Sequence, residues 1–592
     1  MTYDLNKLRT MVEQATDLTS QAREASERDR DYYDGHQWTA EEIAVLNKRK
    51  QPIITINRVQ RKIDAMVGIE QQGRVDPVAY PRTPQAEQAA SVATEVLTFV
   101  DDNTRLDAKR SQAFETMIVE GYGGVEVTVE EKRGKYEIAI NRLRWEEIFF
   151  DPHSREKDFS DAAYVGVMKW MTIDAALEMY VGTVEKDKLV EMLDQSMKNP
   201  QDGETYEDRP FETNSFRWSD RRQKRVRIAQ MYYKKGGQWN LSIFCGGGEI
   251  MNDVSPYEDE DGKPCCPIIL MTGYVDRENR RYGVVRSMIS MQDEVNHRRS
   301  KLLHQLNNRQ TIGVKGAVDS VADMKRQMSQ PDGHVEMNIE AFEDALRVGV
   351  KPFELVQNQD QTSGQFSLLQ ESKMEIDQLG PNASLLGQLS GDQSGRAIIA
   401  QQQAGFAELA PIYDSLRDWT IRVYRAIWER VRQYWTEERW IRVTGRDGRT
   451  NFIGLNVVQG FVPVIGMDGS QQLVPQMENA VAEMDVDIII DEVQDYASLQ
   501  HEEFEQLATL AQQGMPIPPM MLIEASTVRN KQEIIEALEQ QQQQAGQQQQ
   551  IAMQVEMQEK AVETDKTQSE AEKNRAQTWK TMIEGQREAL GY

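Results

Sequence analysis

The sequence predicts an α+β protein built from long helices and antiparallel hairpins, and three observations support this class. From about Arg396 to Trp435, apolar residues recur in steps of three and four, which indicates one amphipathic helix roughly 60 Å long at ~1.5 Å per residue. Two pairs of segments alternate with period two around glycines, as β-hairpins do. They are Val125–Val129 with Tyr136–Ile140, and Arg225–Ala229 with Trp239–Phe244.

The other elements follow in chain order. Thr39 and Glu42 match a capping box at the start of a helix. Residues 52–59 are an extended apolar stretch, and 311–360 are short mixed segments. The charged stretch 185–222 is expected to be a mobile surface insertion. Helical periodicity covers residues 1–30, 59–70, 85–101, 105–120, 283–310, 363–379 and 497–540, and strands are expected across 440–495.

The composition indicates a large folded protein without a membrane span. The 592 residues are 28% charged and 39% hydrophobic, and no run of about eighteen apolar residues occurs. The first 24 residues lack the apolar stretch of a secretory signal. Three cysteines exclude a disulfide framework and suit a reducing compartment. The net charge of −26 favours solubility, and it also fits a protein that touches DNA without holding it.

Sequence motifs for catalysis are missing, so we expect no enzyme activity, no cofactor and no metal site. The sequence contains no Walker phosphate loop, no H-E-x-x-H and no C-x-x-C. The acidic run Glu258–Asp261 lacks calcium ligands at the first and last loop positions, so it is interpreted as a solvated turn. A basic cluster at 221–227 is expected on a solvated strand face, and Arg298, Arg299 and Lys301 form another within a helix.

The order of these elements resembles that of phage portal proteins, the head-to-tail connectors, and most closely the branch found in short-tailed phages. Four segments carry the resemblance, which covers nearly the whole chain: Asp31–Trp38, Pro52–Arg58, Gln393–Ala397 and Trp435–Arg442. The resemblance implies a portal-type subunit with an α/β wing, a helical stem, a small mixed clip, a helical crown and a polar helical or disordered C-terminal tail.

Boundaries for these parts follow from the resemblance. The wing would comprise 1–282 and, with the long helix, 396–495; the stem helices would be 283–310 and 361–380. The clip would be 311–360, the tunnel loop 381–395, and the crown 496–540. Residues 541–592 would be a Gln-rich linker with a short barrel helix or a disordered tail. Pro411 would kink the long helix.

The resemblance also implies a ring of about twelve subunits around a DNA channel at one capsid vertex. Double-stranded DNA would pass through it regardless of sequence, packaged by the terminase motor and later ejected. The partners would be the major capsid protein, a scaffolding protein, the terminase large subunit and tail adaptor proteins, with no membrane. The protein would assemble in the host cytoplasm and end in the virion.

Three sets of residues are candidates for these contacts. Those expected to face DNA from the tunnel loop are Asn382, Ser384, Gln388, Asp392, Gln393 and Arg396. Those expected to touch phosphate are Arg298, Arg299, Lys301 and Lys373. Those expected to contact terminase or adaptors from the clip are Lys315, Asp319, Lys325 and Arg326. Glycines would let the tunnel loop change shape as DNA passes.

Two other functions stay open at this stage. An enzyme, such as a nuclease or an ATPase, would need a carboxylate metal cluster or a phosphate loop. Another virion scaffold, or an internal ejection protein without a channel, would also fit long helices and a Gln-rich tail. The hairpins and the helix–clip–helix order favour the portal interpretation.

Overall fold

The computed structural model describes most of the chain up to residue 490 and parts of the remainder. The described residues are 2–74, 77–198, 216–307, 310–330, 332–349, 351, 353–356, 359–381, 395–444, 450–465, 471–484, 486–490, 507, 510, 566–567 and 569–586. The predicted crown, apart from residues 507 and 510, and the predicted tunnel loop, apart from its two end residues, lie outside them. The chain forms two compact units, Met1–Glu492 and Val493–Tyr592.

The first unit combines helices with antiparallel strands. Its described helices are α1 Leu5–Asp34, α2 Ala40–Lys48, α3 Val59–Gln72, α4 Glu87–Thr104, α5 Leu106–Glu120, α6 Ile173–Tyr180, α7 Lys186–Met197, α8 Val285–Asn307, α9 Val321–Met328, α10 Ile339–Arg347, α11 Gln359–Gln378 and α12 Gly395–Tyr434. Its described strands are β1 Pro77–Pro81, β2 Tyr122–Lys132, β3 Lys135–Leu143, β4 Ile148–Phe150, β5 Tyr164–Thr172, β6 Ser219–Asp220, β7 Arg225–Lys235, β8 Gln238–Cys245, β9 Glu249–Val254, β10 Ile268–Thr272, β11 Tyr274–Val275, β12 Arg281–Tyr282, β13 Gln310–Gly313, β14 Phe353–Val356, β15 Arg439–Thr444, β16 Thr450–Leu455, β17 Val457–Ile465, β18 Gln471–Glu478 and β19 Val486–Ile490. This confirms the predicted α+β class.

Both predicted hairpins are confirmed, and each is closed by a two-residue turn. β2 and β3 pair until Lys132 stands opposite Lys135, and the turn residues Arg133 and Gly134 have φ values of 55° and 75°. β7 and β8 are joined by Gly236 and Gly237, with φ values of 64° and 81°. Left-handed backbone at both positions twists the turn in the same sense as the strands, which explains the glycines there.

A six-stranded antiparallel sheet separates two apolar layers. Its order is β4-β5-β7-β8-β9, with β6 beside β7. On β5, Tyr164 and Met168 pack against α1, whereas Val165 and Val167 pack in the cluster that contains residues of β10. Because side chains alternate along a strand, α1 and the three-stranded sheet β10-β2-β3 cover opposite faces.

The long helix α12 runs through the largest apolar cluster, which we call the α12 core. It begins and ends within one residue of the prediction, and helices α3, α4 and α5 contribute to the same cluster. The indole of Trp419 is fully buried and donates to the carbonyl of Ile269 at 2.9 Å. The helix continues through the exposed Pro411, where the kink stays a prediction. The predicted apolar face is buried at Leu409, Ile412, Leu416, Trp419, Val423, Ile427 and Val431.

Two surface predictions are wrong. The stretch 185–222, expected to be a mobile insertion, contains α7, whose Leu189 and Leu193 are fully buried against the sheet; residues 199–215 lie outside the described residues. In the basic cluster at 221–227, expected on a solvated strand face, Arg221, Arg222 and Lys224 are exposed, but Arg227 is fully buried, so the prediction is wrong at that residue. Its guanidinium carbon lies 4.4 Å from the ring centroid of Trp170, the residue opposite it on β5. The aromatic face stabilises this buried cation.

Smaller expectations can also be compared with the structure. The capping box at the start of α2 is confirmed, with Thr39 accepting from the Glu42 amide and the Glu42 carboxylate accepting from the Thr39 amide. In the second unit, residues 569–586 are helical, so the helical alternative for the tail is confirmed over this stretch. Within the part of the chain that the structure describes, no helix has both the length and the apolarity needed to cross a membrane.

Candidate functional site

Helices α8 and α11 pack as an antiparallel pair joined by a small excursion of the chain. Their apolar seam consists of Val295 and Leu302 from α8 with Leu369 and Ile376 from α11. Residues in each pair are seven apart, so each helix presents one narrow stripe two turns long. The strands at the far ends, β13 and β14, pair antiparallel. The two helices were predicted from their periodicity; Leu306, near the end of α8, is 61% exposed.

An extended segment, residues 52–58, lies along α8 and is held by polar side chains. The amides of Ile54, Ile56 and Arg58 donate to the side-chain oxygens of Ser300, Asn296 and Gln292, at 3.3, 3.0 and 3.1 Å. The amide group of Gln292 also donates to the carbonyl of Ile56 at 2.7 Å. We call this set of contacts the polar ladder.

The geometry of the polar ladder follows from the rise of the two elements. Alternate residues of an extended chain are ~6.6 Å apart, and helical residues four apart are separated by ~6.0 Å along the axis. Three successive bonds can therefore form without a break in register. All three helix side chains are at most 1% exposed, and the bonds pair them with the backbone of a partly buried segment.

The segment after α1 reaches the same face of α8. Gln37 accepts from the amide group of Asn296 at 2.6 Å and donates to the carbonyl of Tyr32 at 2.8 Å. The ring of Trp38 meets His297 edge-on, with centroids 4.7 Å apart. Two sequence segments more than 220 residues before α8, 31–38 and 52–58, thus converge on one helix face.

The end of α11 is fixed to α3 by two cations. The ammonium group of Lys62 is buried and donates to the carbonyls of Asp377 and Pro381, each at 2.7 Å. Arg58 donates to both carboxylate oxygens of Asp377 at 2.7 Å. A cation at a helix C-terminus satisfies carbonyls that have no partner within the helix. These contacts fix the last turn of α11 and the residues up to 381 that follow it.

A few cations cluster on this helix pair, although α8 and α11 together carry six acidic and five basic residues. Burial, followed by the neighbouring charges of Arg58 and Arg299, lowers the pKa of Lys373. Burial also lowers the pKa of Lys62, with Arg58 acting in the same direction and Asp377 against it. Mutual repulsion of this kind indicates that the cations lie close to one another.

The excursion between α8 and α11 forms a small mixed substructure. Helices α9 and α10 lie between β13 and β14, and Ser320 caps α9 by accepting from the Asp323 amide at 3.2 Å. Met324 and Ala317 are buried, but Ile339 and Val348 are 74% and 78% exposed. The substructure therefore keeps much of its apolar surface uncovered within one chain.

Comparison with known proteins identifies the family. Residues 9–581 match the sequence model described as Phage P22-like portal protein. The chain belongs to this family. A curated relative, the portal protein of Helicobacter pylori bacteriophage KHP30, is 19% identical over 435 residues, which is 72% of this chain and 66% of that protein. The match thus spans just under two thirds of the relative's own length.

The candidate phosphate contacts of this portal-family chain lie together on the α8–α11 pair, in different environments. Arg298 is half-buried; it pairs with Glu294 and donates to Gln365 of α11 at 3.3 Å. Arg299 and Lys373 are half-buried, and Lys301 is exposed. Of the four, Arg298 thus already has a carboxylate partner in the same helix.

The other candidates have less structural context. Lys315, Asp319, Lys325 and Arg326 are exposed on the excursion, and Arg326 pairs with Asp323 at 3.2 Å. Asn382, Ser384, Gln388, Asp392 and Gln393 lie outside the described residues, and only the helical backbone of Arg396 is described. Among the described residues, no group of three or more acidic, His or Cys side chains is arranged to hold a metal.

Sequence reasoning missed four residues that organise this site: Arg58, Lys62, Gln292 and Asn296. Asn57-Arg58 lay in a segment quoted for the resemblance, but nothing there indicated a helix partner. The spacing of Gln292, Asn296 and Ser300 at i, i+4 and i+8 is a usable signal, because polar residues at those positions share one face of α8.

Proposed function

We propose that the chain assembles into a ring of about twelve copies around a channel for double-stranded DNA at one capsid vertex. DNA would enter through the channel under the terminase motor, and it would leave by the same route when the genome is ejected. The ring would perform no chemistry of its own. It would assemble in the host cytoplasm and remain in the virion.

One observation carries this proposal: the portal-family match extends over residues 9–581. The geometry of the α8–α11 pair supports it. The antiparallel pair has one narrow apolar seam, and it carries a small excursion at its far end. A helix pair of this kind, repeated around an axis, supplies the wall of a channel.

The charge distribution of the chain favours a channel through which DNA moves, rather than a surface that binds DNA tightly. The chain carries a net charge of −26, so most of its surface repels phosphate. Arg299, Lys301 and Lys373 interrupt that surface on the α8–α11 pair. A few cations per subunit would damp sliding without creating the deep electrostatic well that stops DNA.

The exposed excursion is the part we propose for docking. Lys315, Asp319, Lys325 and Arg326 would contact the terminase large subunit during packaging and tail adaptor proteins afterwards. The uncovered Ile339 and Val348 fit a surface that neighbouring subunits or partners bury. The major capsid protein and a scaffolding protein would contact the remainder of the subunit during assembly.

The test is native mass spectrometry together with negative-stain microscopy of the purified chain. We expect rings of about twelve copies with a central hole wide enough for a DNA duplex. Because assembly depends on mass action, the measurement covers a wide concentration range. A filament, a compact small oligomer or a monomer at every concentration would contradict the proposal, and a filament would favour the scaffold alternative.

A further inference from the structure

A cavity of about 270 Å³ lies between α1 and the turn that precedes β12, away from the α8–α11 pair. Thr19, Ala22 and Arg23 line it from α1, and Tyr122 and Phe150 form part of the wall. Its volume is close to the lower end of the ~300–1,000 Å³ range of small-molecule sites. The cavity suits a ligand of a few atoms.

The polar lining of the cavity is cationic. It contains three cations, Arg23, Arg280 and Arg281, and a single carboxylate, Glu278. That carboxylate is already engaged, because its Oε2 lies 2.7 Å from a guanidinium nitrogen of Arg280. The lining therefore has an excess of positive charge.

Arg281 is the most deeply buried of these cations, at 2% exposure. Its Nη2 donates to the carbonyl of Glu156 at 3.0 Å and to the hydroxyl of Ser154 at 3.1 Å. Its Nε and Nη1 find no acceptor among the described residues, and no carboxylate of those residues lies within 4.0 Å of it. Asp161 and Asp158 attract the Arg281 guanidinium without a direct ion pair, and the Ser154 hydroxyl that accepts from it donates to Asp161. The buried N–H groups that lack an acceptor remain costly.

The guanidinium group is held in place by aromatic rings. Its carbon lies 4.0 Å from the ring centroid of Phe159 and 5.1 Å from that of Phe150. Burial lowers the pKa of Arg281 to about 10 and also lowers the pKa of Arg23, so both groups are cations that lack full solvation. Arg23 is fixed from the other side by bonds to Thr19 and to the carbonyl of Ile148.

We propose that this cavity binds a small tetrahedral oxyanion of the phosphate class, with Arg281 as its main counter-charge and Arg23 and Arg280 at its sides. A bound oxyanion would neutralise the excess charge and accept hydrogen bonds from guanidinium N–H groups, which favour such anions. It would also link α1 to the 276–281 turn, so its binding would stabilise the folded chain.

The first measurement is thermal unfolding of the full chain in a sodium phosphate series, with ionic strength held constant by sodium chloride. We expect the unfolding temperature to rise with phosphate and to saturate. Isothermal titration with phosphate should give a matching binding curve. A response that follows ionic strength alone, or no response, would overturn the proposal, because screening alone gives no saturation.

Three variants assign the effect to the cavity. Arg281→Met should weaken phosphate binding at least tenfold. Ala22→Leu fills the cavity without removing a charge and should also abolish the response, so a folding defect in the first variant cannot hide the result. Arg430→Met is the matched control, since Arg430 is equally buried and stacks on Tyr257 at 4.6 Å outside the cavity. Retention of the response in both cavity variants would overturn the assignment.

A further experiment distinguishes free phosphate from the terminal phosphate of a nucleic acid. It compares a short oligonucleotide that carries a 5′-phosphate with the same strand without it. Competition with inorganic phosphate by the phosphorylated strand alone would support a terminal phosphate of nucleic acid. Absence of competition would support the free anion. Equal competition by both strands would contradict a phosphate-specific cavity.

Discussion

The α12 core and the α8–α11 pair hold their long helices by opposite means. In the α12 core, nine apolar residues of one helix are at most 4% exposed, and the cluster includes residues from more than eight other elements. In the α8–α11 pair the apolar seam has four buried residues, and the neighbouring segment 52–58 is fixed by hydrogen bonds.

The two kinds of contact contribute differently: apolar packing determines the free energy of unfolding, and hydrogen bonds determine the position of one segment along another. Apolar burial stabilises in proportion to area but tolerates small displacements, because it is not directional. A ladder of hydrogen bonds contributes less net free energy, yet a shift by one residue breaks every bond in it. We therefore expect the α12 core to determine global stability and the polar ladder to determine position. The helix pair should then open at lower free energy than the core.

The largest effect is expected from Trp419→Ala in the α12 core. Removing a fully buried indole leaves a cavity, which costs about 3–5 kcal/mol of unfolding free energy. Urea denaturation measures it. Arg425→Ala is the control on the same helix, because its ion pair with Asp487 is exposed and contributes about 0.2–1 kcal/mol. A loss below about 1 kcal/mol for Trp419→Ala would contradict the role of the core.

The pH dependence of the unfolding free energy tests the contact of Asp29 on α1 with Arg286 on α8. Burial raises the pKa of the Asp29 carboxyl group from 3.8 to about 7, against the weaker effect of Arg286 at 3.8 Å. Because the folded pKa is the higher one, the stabilisation is complete below about pH 4 and is lost as pH rises through 7. At 1.36 kcal/mol per pKa unit, the loss is up to about 4 kcal/mol.

Asp29→Asn removes this titration, so its unfolding free energy should fall less between pH 4 and 8 than that of the unsubstituted chain. Urea denaturation at several pH values gives the difference directly. Parallel pH profiles for the two proteins would show that the carboxyl group is already ionised in the fold.

Gln292→Leu tests the polar ladder with little change in side-chain volume. The substitution removes the partners of the Arg58 amide and the Ile56 carbonyl. Because both groups are only partly buried, we expect about 1 kcal/mol for each, the lower end of the ~1–3 kcal/mol cost of an unsatisfied group. Hydrogen exchange should accelerate at residues 54–58 more than in the α12 core. Lys301→Leu, at an exposed position of the same helix, is the control. Unchanged exchange at residues 54–58 would mean that the ladder does not fix the segment.

The smallest effect on stability is expected from the double change Arg299→Ala and Lys373→Ala. Both side chains are only half-buried and the substitution relieves repulsion, so the unfolding free energy should change by less than about 0.5 kcal/mol. Binding of linear duplex DNA by assembled rings should nevertheless weaken and depend less on salt. Lys186→Ala with Lys188→Ala, on the exposed side of α7, is the charge-matched control. An equal loss of DNA binding in both double variants would show that Arg299 and Lys373 have no specific role in contacting DNA.

The sequence predicted the elements with strong local signals. Helix α12 was placed within one residue because apolar residues recur along it in steps of three and four for about seven turns. The hairpins were placed by glycines at positions that need left-handed backbone. The same local logic failed where charge dominated: Leu189 and Leu193 of α7 share a face, but the charged residues around them suggested a surface loop.

The sequence did not predict contacts between residues that lie far apart in the chain. Arg227 is buried because Trp170 lies opposite it on another strand, and period-two alternation fits a buried face as well as a solvated one. In the candidate site, the cations of α8 and α11 could be named, whereas the contacts of Lys62 with Asp377 and Pro381 span more than 300 residues. No pattern within either segment specifies that pairing.

The most direct test of the central claim is a cryo-electron microscopy structure of the assembled chain. If the α8–α11 pair forms the wall of a DNA channel, the map should show a closed ring of about twelve subunits. Arg299 and Lys373 should then face the lumen, and segment 52–58 should hold α8 from the outer side. A ring in which these cations point away from the axis, or an assembly without a central channel, would contradict the claim.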